Sequence, residues 1–237
     1  MKILALDSSA VVASVALCED ERLLAEYTLN NGNTHSETLL PMVETILRHF
    51  GASTADVDLF AVSSGPGSFT GVRIGAATLK GLAFATDKPC VGVSTLEAIA
   101  ENLVSHSGLI CPVMNARRSQ VYTALFRSDG QSLTRLMEDS ALSIEELDVR
   151  LSETGEEVAF CGDGYDITLA ALAKTHAKWI PYRLRLQSAY SVAQAALRQY
   201  RQGEWVKDEA LGVTYLRPSQ AERTYCEQHP VEETGSH

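Results

Sequence analysis

One local pattern occurs twice along this chain. An apolar run, 2–7 (KILALD), turns through Ser8–Ala10 into a second β-type run, 11–17, and then a third, 22–29. In the second half, the run 109–114 turns through Asn115-Ala116-Arg117-Arg118 into another, 120–126, and Asp129-Gly130 follows as a hairpin signal. Short apolar runs bounded by turn residues read as buried strands. A strand, an Asp or Asn turn and a strand, begun at Ile3 and again at Ile110, point to internal duplication of one fold unit.

The segments between complete that unit. Thr34 and Glu37 have capping-box spacing, and Leu39, Leu40, Val43, Ile46, Leu47 and Phe50 recur at helical spacing until Gly51. Pro41 falls inside this helix and should kink it or mark its early turns. His35 has no second His three or four residues on, so this helix offers no metal pair. A strand over 57–62 leads through Ser63–Gly75 (SSGPGSFTGVRIG) into a small-residue helix over 70–86. Pro89 precedes a strand over 90–93, and Ser94 with Glu97 opens a helix to about Ser105. The second half adds a helix at 144–151, a strand at 158–161 ending in Gly162-Asp163-Gly164, and helices at 166–174 and 191–200, the latter starting as early as Ser188. A short extended piece at 214–217 precedes a polar tail. Three strands, a helix, a strand and a helix, used twice, are the plan of the actin-like ATPase and sugar-kinase (ASKHA) superfamily. The expected fold is therefore α/β, with two subdomains of mixed sheets flanked by helices. The expected division is 1–105 and 106–218, with 219–237 as tail, and superfamily nucleotide sites lie between the halves.

The glycine stretch has two readings. Gly65 and Gly67 permit close backbone approach, Pro66 stiffens the turn, and Ser68 or Thr70 can cap the following helix. Strand, turn and helix N-terminus together can cradle a phosphate; equally, they can be a tight turn with no ligand. Walker and Rossmann glycine spacings are both absent. Arg73 is poorly placed for the helix dipole, so its side chain should have another role. Asp7 is either a carboxylate that meets phosphate-bound metal or a turn-forming Asx residue. The candidate nucleotide or phosphate cleft is Asp7, Ser8, Ser9, Gly65, Gly67, Ser68, Asn115 and Arg117. Ala77, Gly81 and Ala85, four apart, form a small stripe that admits either a partner helix or a neighbour within the chain.

The formal net charge of −10 argues against unaided nucleic-acid binding. Five cysteines without C-x-x-C spacing read as reduced thiols, most of them in the core. Asp7, Ser8 and Ser9 interrupt the N-terminal apolar run too early for a signal peptide, and no stretch reaches the roughly 20 apolar residues of a membrane span. A cytoplasmic protein without membrane contact is expected.

GPGSFTGVRIG after a short strand, with KILALDSSA, HSETLLPM, VSTLEAIA, NARRSQVY and the late TYLRP, resembles the TsaB family, also called YeaZ, from Met1 to about Pro218. The resemblance implies an actin-like fold and a non-catalytic role in making threonylcarbamoyladenosine beside the anticodon of tRNAs that read codons beginning with A. The implied partner is TsaD, the paralogue carrying the catalytic metal; TsaE, an ATPase, joins the pair, and TsaC supplies the threonylcarbamoyl adenylate. A homodimer is implied when TsaD is absent, and tRNA contact is implied only through the complex. The implied interface lies on the first two helices. It comprises Thr38, Leu39, Met42, Val43 and Ile46 on one, and Thr70, Val72, Arg73, Ala76, Ala77, Lys80 and Gly81 on the other. TsaD carries a His-x-x-x-His pair where this chain has Thr95 and Ile99, so no metal site, cofactor or catalytic residue is expected here. Asn115 stands where many actin-like enzymes have Asp, which counts against ATP hydrolysis. A weak ATPase or small-molecule kinase is the alternative. A peptidase lacks its usual groupings, since neither a Gly-x-Ser-x-Gly elbow nor a His-Glu-x-x-His helix is present.

Overall fold

The computed structural model describes residues 1–32 and 34–217. The expected tail and Cys226 lie outside the described residues. The first half contains β1 (Lys2–Asp7), β2 (Ala13–Glu19), β3 (Arg22–Leu29), α1 (His35–His49), β4 (Leu59–Gly65), α2 (Phe69–Phe84), β5 (Cys90–Ser94) and α3 (Thr95–Glu101). The second contains β6 (Gly108–Asn115), β7 (Gln120–Ser128), β8 (Leu133–Ser143), α4 (Ile144–Ser152), β9 (Val158–Cys161), α5 (Tyr165–Ala171), β10 (Ala177–Lys178) and α6 (Ala189–Arg201).

The two sheets have one topology. Their orders are β3-β2-β1-β4-β5 and, read in the matching sense, β8-β7-β6-β9-β10. In each, the hairpin strands are antiparallel and the later strands are parallel to the central one. This is the duplicated actin-like fold expected from the repeated turn. β8 has no clear signal in the sequence, because its inward register is not uniformly apolar. Arg135 stands in that register, with its guanidinium 4.6 Å from the Phe126 ring centroid and bonded to Asp139 at 2.5 Å.

Local chemistry sets the helix ends. Thr34 precedes α1 but its side chain caps nothing, so the expected capping box is absent; its carbonyl accepts the Glu37 N–H at 3.1 Å. At the other end, Gly51 takes φ +56°, with Gly51 N–H to Arg48 O and Ala52 N–H to Leu47 O. That pair is a Schellman cap. Pro41 lies within α1 on its exposed side.

The sheets divide between β5 and β6, on either side of residue 105, whereas the helices cross that line. α3 sends Leu96, Ile99 and Ala100 into the core of the second sheet. α6 returns to the first sheet, where Ala189, Val192, Ala193, Ala195 and Ala196 pack on Ile3, Ala5, Leu59, Ala61 and Val91. Its alanines let the helix lie close to the strands. Residues 206–215 also return, with Val206 bridged to Cys90, Leu211 in the first core, and Thr214 N–H donated to Ser64 O at 2.7 Å.

Candidate functional site: the cleft and the α1–α2 face

A cleft of about 580 Å³ opens where the two sheets end. It is lined by Ser9–Val11, Pro66–Thr70, Met114–Arg117, Tyr122, Asp163 and Thr214–Arg217. Of the eight cleft residues expected from sequence, Ser9, Gly67, Ser68, Asn115 and Arg117 line it, whereas Asp7, Ser8 and Gly65 lie behind its wall.

Asp7 is fully buried. Its Oδ1 accepts the Ser9 N–H at 2.9 Å and the Ser9 hydroxyl at 2.7 Å, and its Oδ2 accepts the Ser63 hydroxyl at 2.5 Å. Burial raises its pKa above the ordinary carboxylate value, although the Ser63 and Ser9 hydrogen bonds and the nearby His35 pull it down. These bonds favour the Asx reading. Asn115 makes the same turn, its Oδ1 accepting the Arg117 N–H at 2.8 Å. An acceptor is all that the turn requires, so Asn replaces Asp there without structural loss. His35 stays a structural residue, with Nε2 2.7 Å from the Ala10 carbonyl.

The glycine stretch seats the first turn. A Cβ on Gly67 would lie 2.4 Å from the Ser9 carbonyl oxygen, and one on Gly65, at φ +115°, 2.2 Å from that of Thr214. Ser68 N–H donates to Ser9 O at 2.7 Å, and Ser68 Oγ caps α2 by accepting the Gly71 N–H at 3.3 Å. Two N–H groups that a phosphate could use, those of Ser68 and Gly71, are thus spent on the chain itself, which favours the tight-turn reading for these residues. Arg73 fastens the 214–217 segment across the cleft. Its Nε donates to the Tyr215 hydroxyl at 2.7 Å, and its guanidinium lies 3.8 Å from the Phe69 ring centroid. Arg217 completes the strap by donating to Ala116 O at 3.2 Å.

Asp163, which the sequence offers either as a turn residue or as a carboxylate for the kinase alternative, lines the cleft. Its Oδ1 is buried with no hydrogen-bond partner among the described residues. Burial pushes its pKa up to about 6 against a backbone hydrogen bond from Asn115, and the Asp7 carboxylate adds to the rise. The thiols, by contrast, are inert. Cys18 and Cys111 are pushed up to about 12 and Cys90 to about 11, chiefly by burial, and Cys161 is raised as well.

The α1–α2 face differs from the expected one. Leu39, Met42, Val43, Ile46, Val72 and Ala76 are buried, because the sheet beneath needs the apolar stripes of both helices. Those six cannot form a surface as the chain is folded. Thr70, Arg73, Ala77 and Gly81 are exposed, and Thr38 and Lys80 partly so. A Cβ on Gly81 would meet no atom within 4 Å. Phe84 is 79% exposed on the same helix and Leu40 53% on α1. Thr95 and Ile99 are both fully buried on α3. Among the described residues no group of three or more His, Cys, Asp and Glu side chains is arranged to hold a metal ion, and no helix is long and apolar enough to cross a membrane.

Comparison with known proteins gives consistent matches. A family model described as TsaD, tRNA N6-adenosine threonylcarbamoyltransferase, matches residues 22–232. The chain is 36% identical to the tRNA threonylcarbamoyladenosine biosynthesis protein TsaB of Bacillus subtilis over 162 residues, covering 68% of this chain and 71% of the relative. It is 31% identical to the Escherichia coli protein of the same name over 220 residues, covering 92% and 95%. The structure of YeaZ from Pseudomonas aeruginosa superposes with a TM-score of 0.80 at 28% identity, covering 91% of this chain and 99% of that one.

Proposed function

The chain belongs to the TsaB (YeaZ) family, and from that premise we propose that it is a non-catalytic subunit that binds and activates TsaD in threonylcarbamoylation of the adenosine beside the anticodon. The relatives' shared name puts the family in biosynthesis of that tRNA modification. Gly81 carries the partner reading. Glycine weakens a helix interior relative to alanine, yet a Cβ here would touch nothing in the chain. The small face is open outward, with exposed Phe84 on the same helix. It suits a helix pair of TsaD, or a second copy of this chain when TsaD is absent. TsaE then joins the pair, and tRNA is reached through the assembly.

Thr95 and Ile99 support the non-catalytic part of the reading. They occupy the positions of the paralogue's two histidines, neither is a metal ligand, and both are buried away from the cleft. The test is a reconstituted reaction of TsaC, TsaD, TsaE, ATP, threonine, bicarbonate and tRNA, with and without this chain. Modification that requires both TsaD and the chain is the expected result; modification without the chain overturns the activating role. Ala77→Trp or Gly81→Leu should abolish co-elution with TsaD while the monomer melts no lower than before. The alternative, a weak ATPase or small-molecule kinase, has the unpartnered Asp163 oxygen in the cleft in its favour. Metal-dependent phosphate release by the chain alone, abolished by Asp163→Ala, would support it.

A further inference from the structure

We propose that a second cavity, beside the turn at 117–119, takes a nucleotide of a single-stranded RNA segment; this rests on the reading of the chain as part of a tRNA-modifying assembly. The cavity measures about 740 Å³ and is lined by residues of α4, α5 and the second turn. Arg117, Arg118 and Lys174 line it. Among the described residues, none of these three side chains has a hydrogen bond or ion pair. Two carboxylates share the wall. Asp148 is already committed, accepting the N–H groups of Ala173 at 2.8 Å, Lys174 at 3.0 Å and Thr175 at 2.9 Å. Glu145 is the other. Ile144, Val149 and Ile167 give the cavity an apolar side against which a base can lie.

The backbone displays the arginines. Arg117, Arg118 and Ser119 have φ of +64°, +53° and +57°. Residues with a side chain ordinarily visit this region singly. The equivalent turn of the first half, at 8–12, contains no such residue. The run therefore does not belong to the repeated fold unit, and both guanidinium groups end without a hydrogen bond or ion pair among the described residues.

A second observation lies along the chain from Lys174. Residues 174–185 hold no carboxylate, in a protein whose net charge is −10, and of their cations Lys174, Lys178 and Arg183 are open to a ligand, whereas Arg185 is engaged by the Ile180 carbonyl at 2.8 Å and by Asp166 at 3.4 Å. Within that segment Trp179 is 70% exposed and Tyr182 61%. Cations for phosphates and open rings for bases are how unpaired RNA is held. An acidic peptide would use the cations and leave the rings idle.

The test uses the chain assembled with TsaD and a fluorescein-labelled tRNA transcript, by anisotropy across roughly 50–200 mM salt. Arg118→Ala with Lys174→Ala is expected to weaken binding and to flatten the slope of log affinity against log salt by about 1.5, two phosphate contacts' worth. Arg118→Lys with Lys174→Arg should restore the slope, and Trp179→Ala should weaken binding without changing it. Co-elution with TsaD is read on the same samples. Its failure in the unaltered chain would overturn the assembly reading and this inference with it. Intact co-elution with unchanged affinity and slope in the double variant would overturn the RNA inference alone. Loss of a protein component from the double variant with RNA binding unchanged would also overturn it, and would assign the cavity to a protein.

Discussion

Arg198 of α6 holds Glu101 of α3 by two hydrogen bonds, Nη1 to Oε1 at 2.9 Å and Nη2 to Oε2 at 2.7 Å. α3 gives Leu96, Ile99 and Ala100 to the core of the second sheet and Ala98 to that of the first, where α6 packs, so this pair helps tie the two halves together. Burial raises the Glu101 pKa, opposed by the hydrogen bond and charge of Arg198.

Arg198→Ala should therefore leave a buried carboxylate without its counterion. A fully buried pair broken in this way costs about 3–5 kcal/mol. Arg198 is partly exposed, so water screens the loss and about 2 kcal/mol is expected. Urea unfolding at neutral pH measures it; a loss below about 0.5 kcal/mol would show that water replaces the arginine.

Asp163 sets a pH dependence. Its folded pKa, about 6, lies above the ordinary value of 3.8, so the folded state binds the proton more tightly than the unfolded state. Stability then falls as pH rises between those values. Asp163→Asn should remove that part of the fall and raise stability at pH 7 by about 1–3 kcal/mol. Asp7 and Glu101 are raised as well, so the slope should shrink rather than vanish. Urea unfolding of both proteins at about pH 4.5 and pH 7 decides it, and equal pH slopes would show that Asp163 finds a partner in solution.

Two glycines should respond in opposite directions to alanine. At Gly67 the new Cβ falls 2.4 Å from a backbone oxygen that cannot swing away, and overpacking of this kind costs about 1–3 kcal/mol. At Gly81 there is open space within a helix, so alanine should stabilise by about 0.5–1 kcal/mol. Thermal melts of both variants check the contrast. A stabilised Gly81→Ala monomer would confirm that no contact within the chain requires this glycine.

Much of this architecture is legible in the sequence because strands and turns are local. β1, β3 and β9 lie where the apolar runs put them, and the Asp7 and Asn115 turns use the bonds that Asx residues favour. Packing partners are not legible. The alanine-rich face of α6 suits either sheet, and nothing local sends it back to the first. Helical periodicity finds the apolar stripes of α1 and α2 but cannot say that the chain's own sheet consumes them, so Leu39 and Ile46, expected at a partner surface, are buried. Asp163 has the look of a turn residue because its environment comes from segments far away in sequence.

The strap across the cleft rests on contacts of that distant kind. Tyr215 meets Arg73 across 142 residues of chain, and its ring lies 4.6 Å from that of Phe69. Tyr215→Phe removes the hydroxyl but keeps the stack, and should cost about 1 kcal/mol or less, because the contact is solvent-exposed. Tyr215→Ala removes both, leaving the Thr214–Ser64 and Arg217–Ala116 bonds to hold the segment. Hydrogen exchange at the Thr214 amide should accelerate more in the alanine variant than in the phenylalanine one, while the core strands β1 and β6 keep their protection. Equal acceleration in both would assign the strap's attachment to the hydroxyl bond, and none in either would assign it to the two backbone-directed bonds.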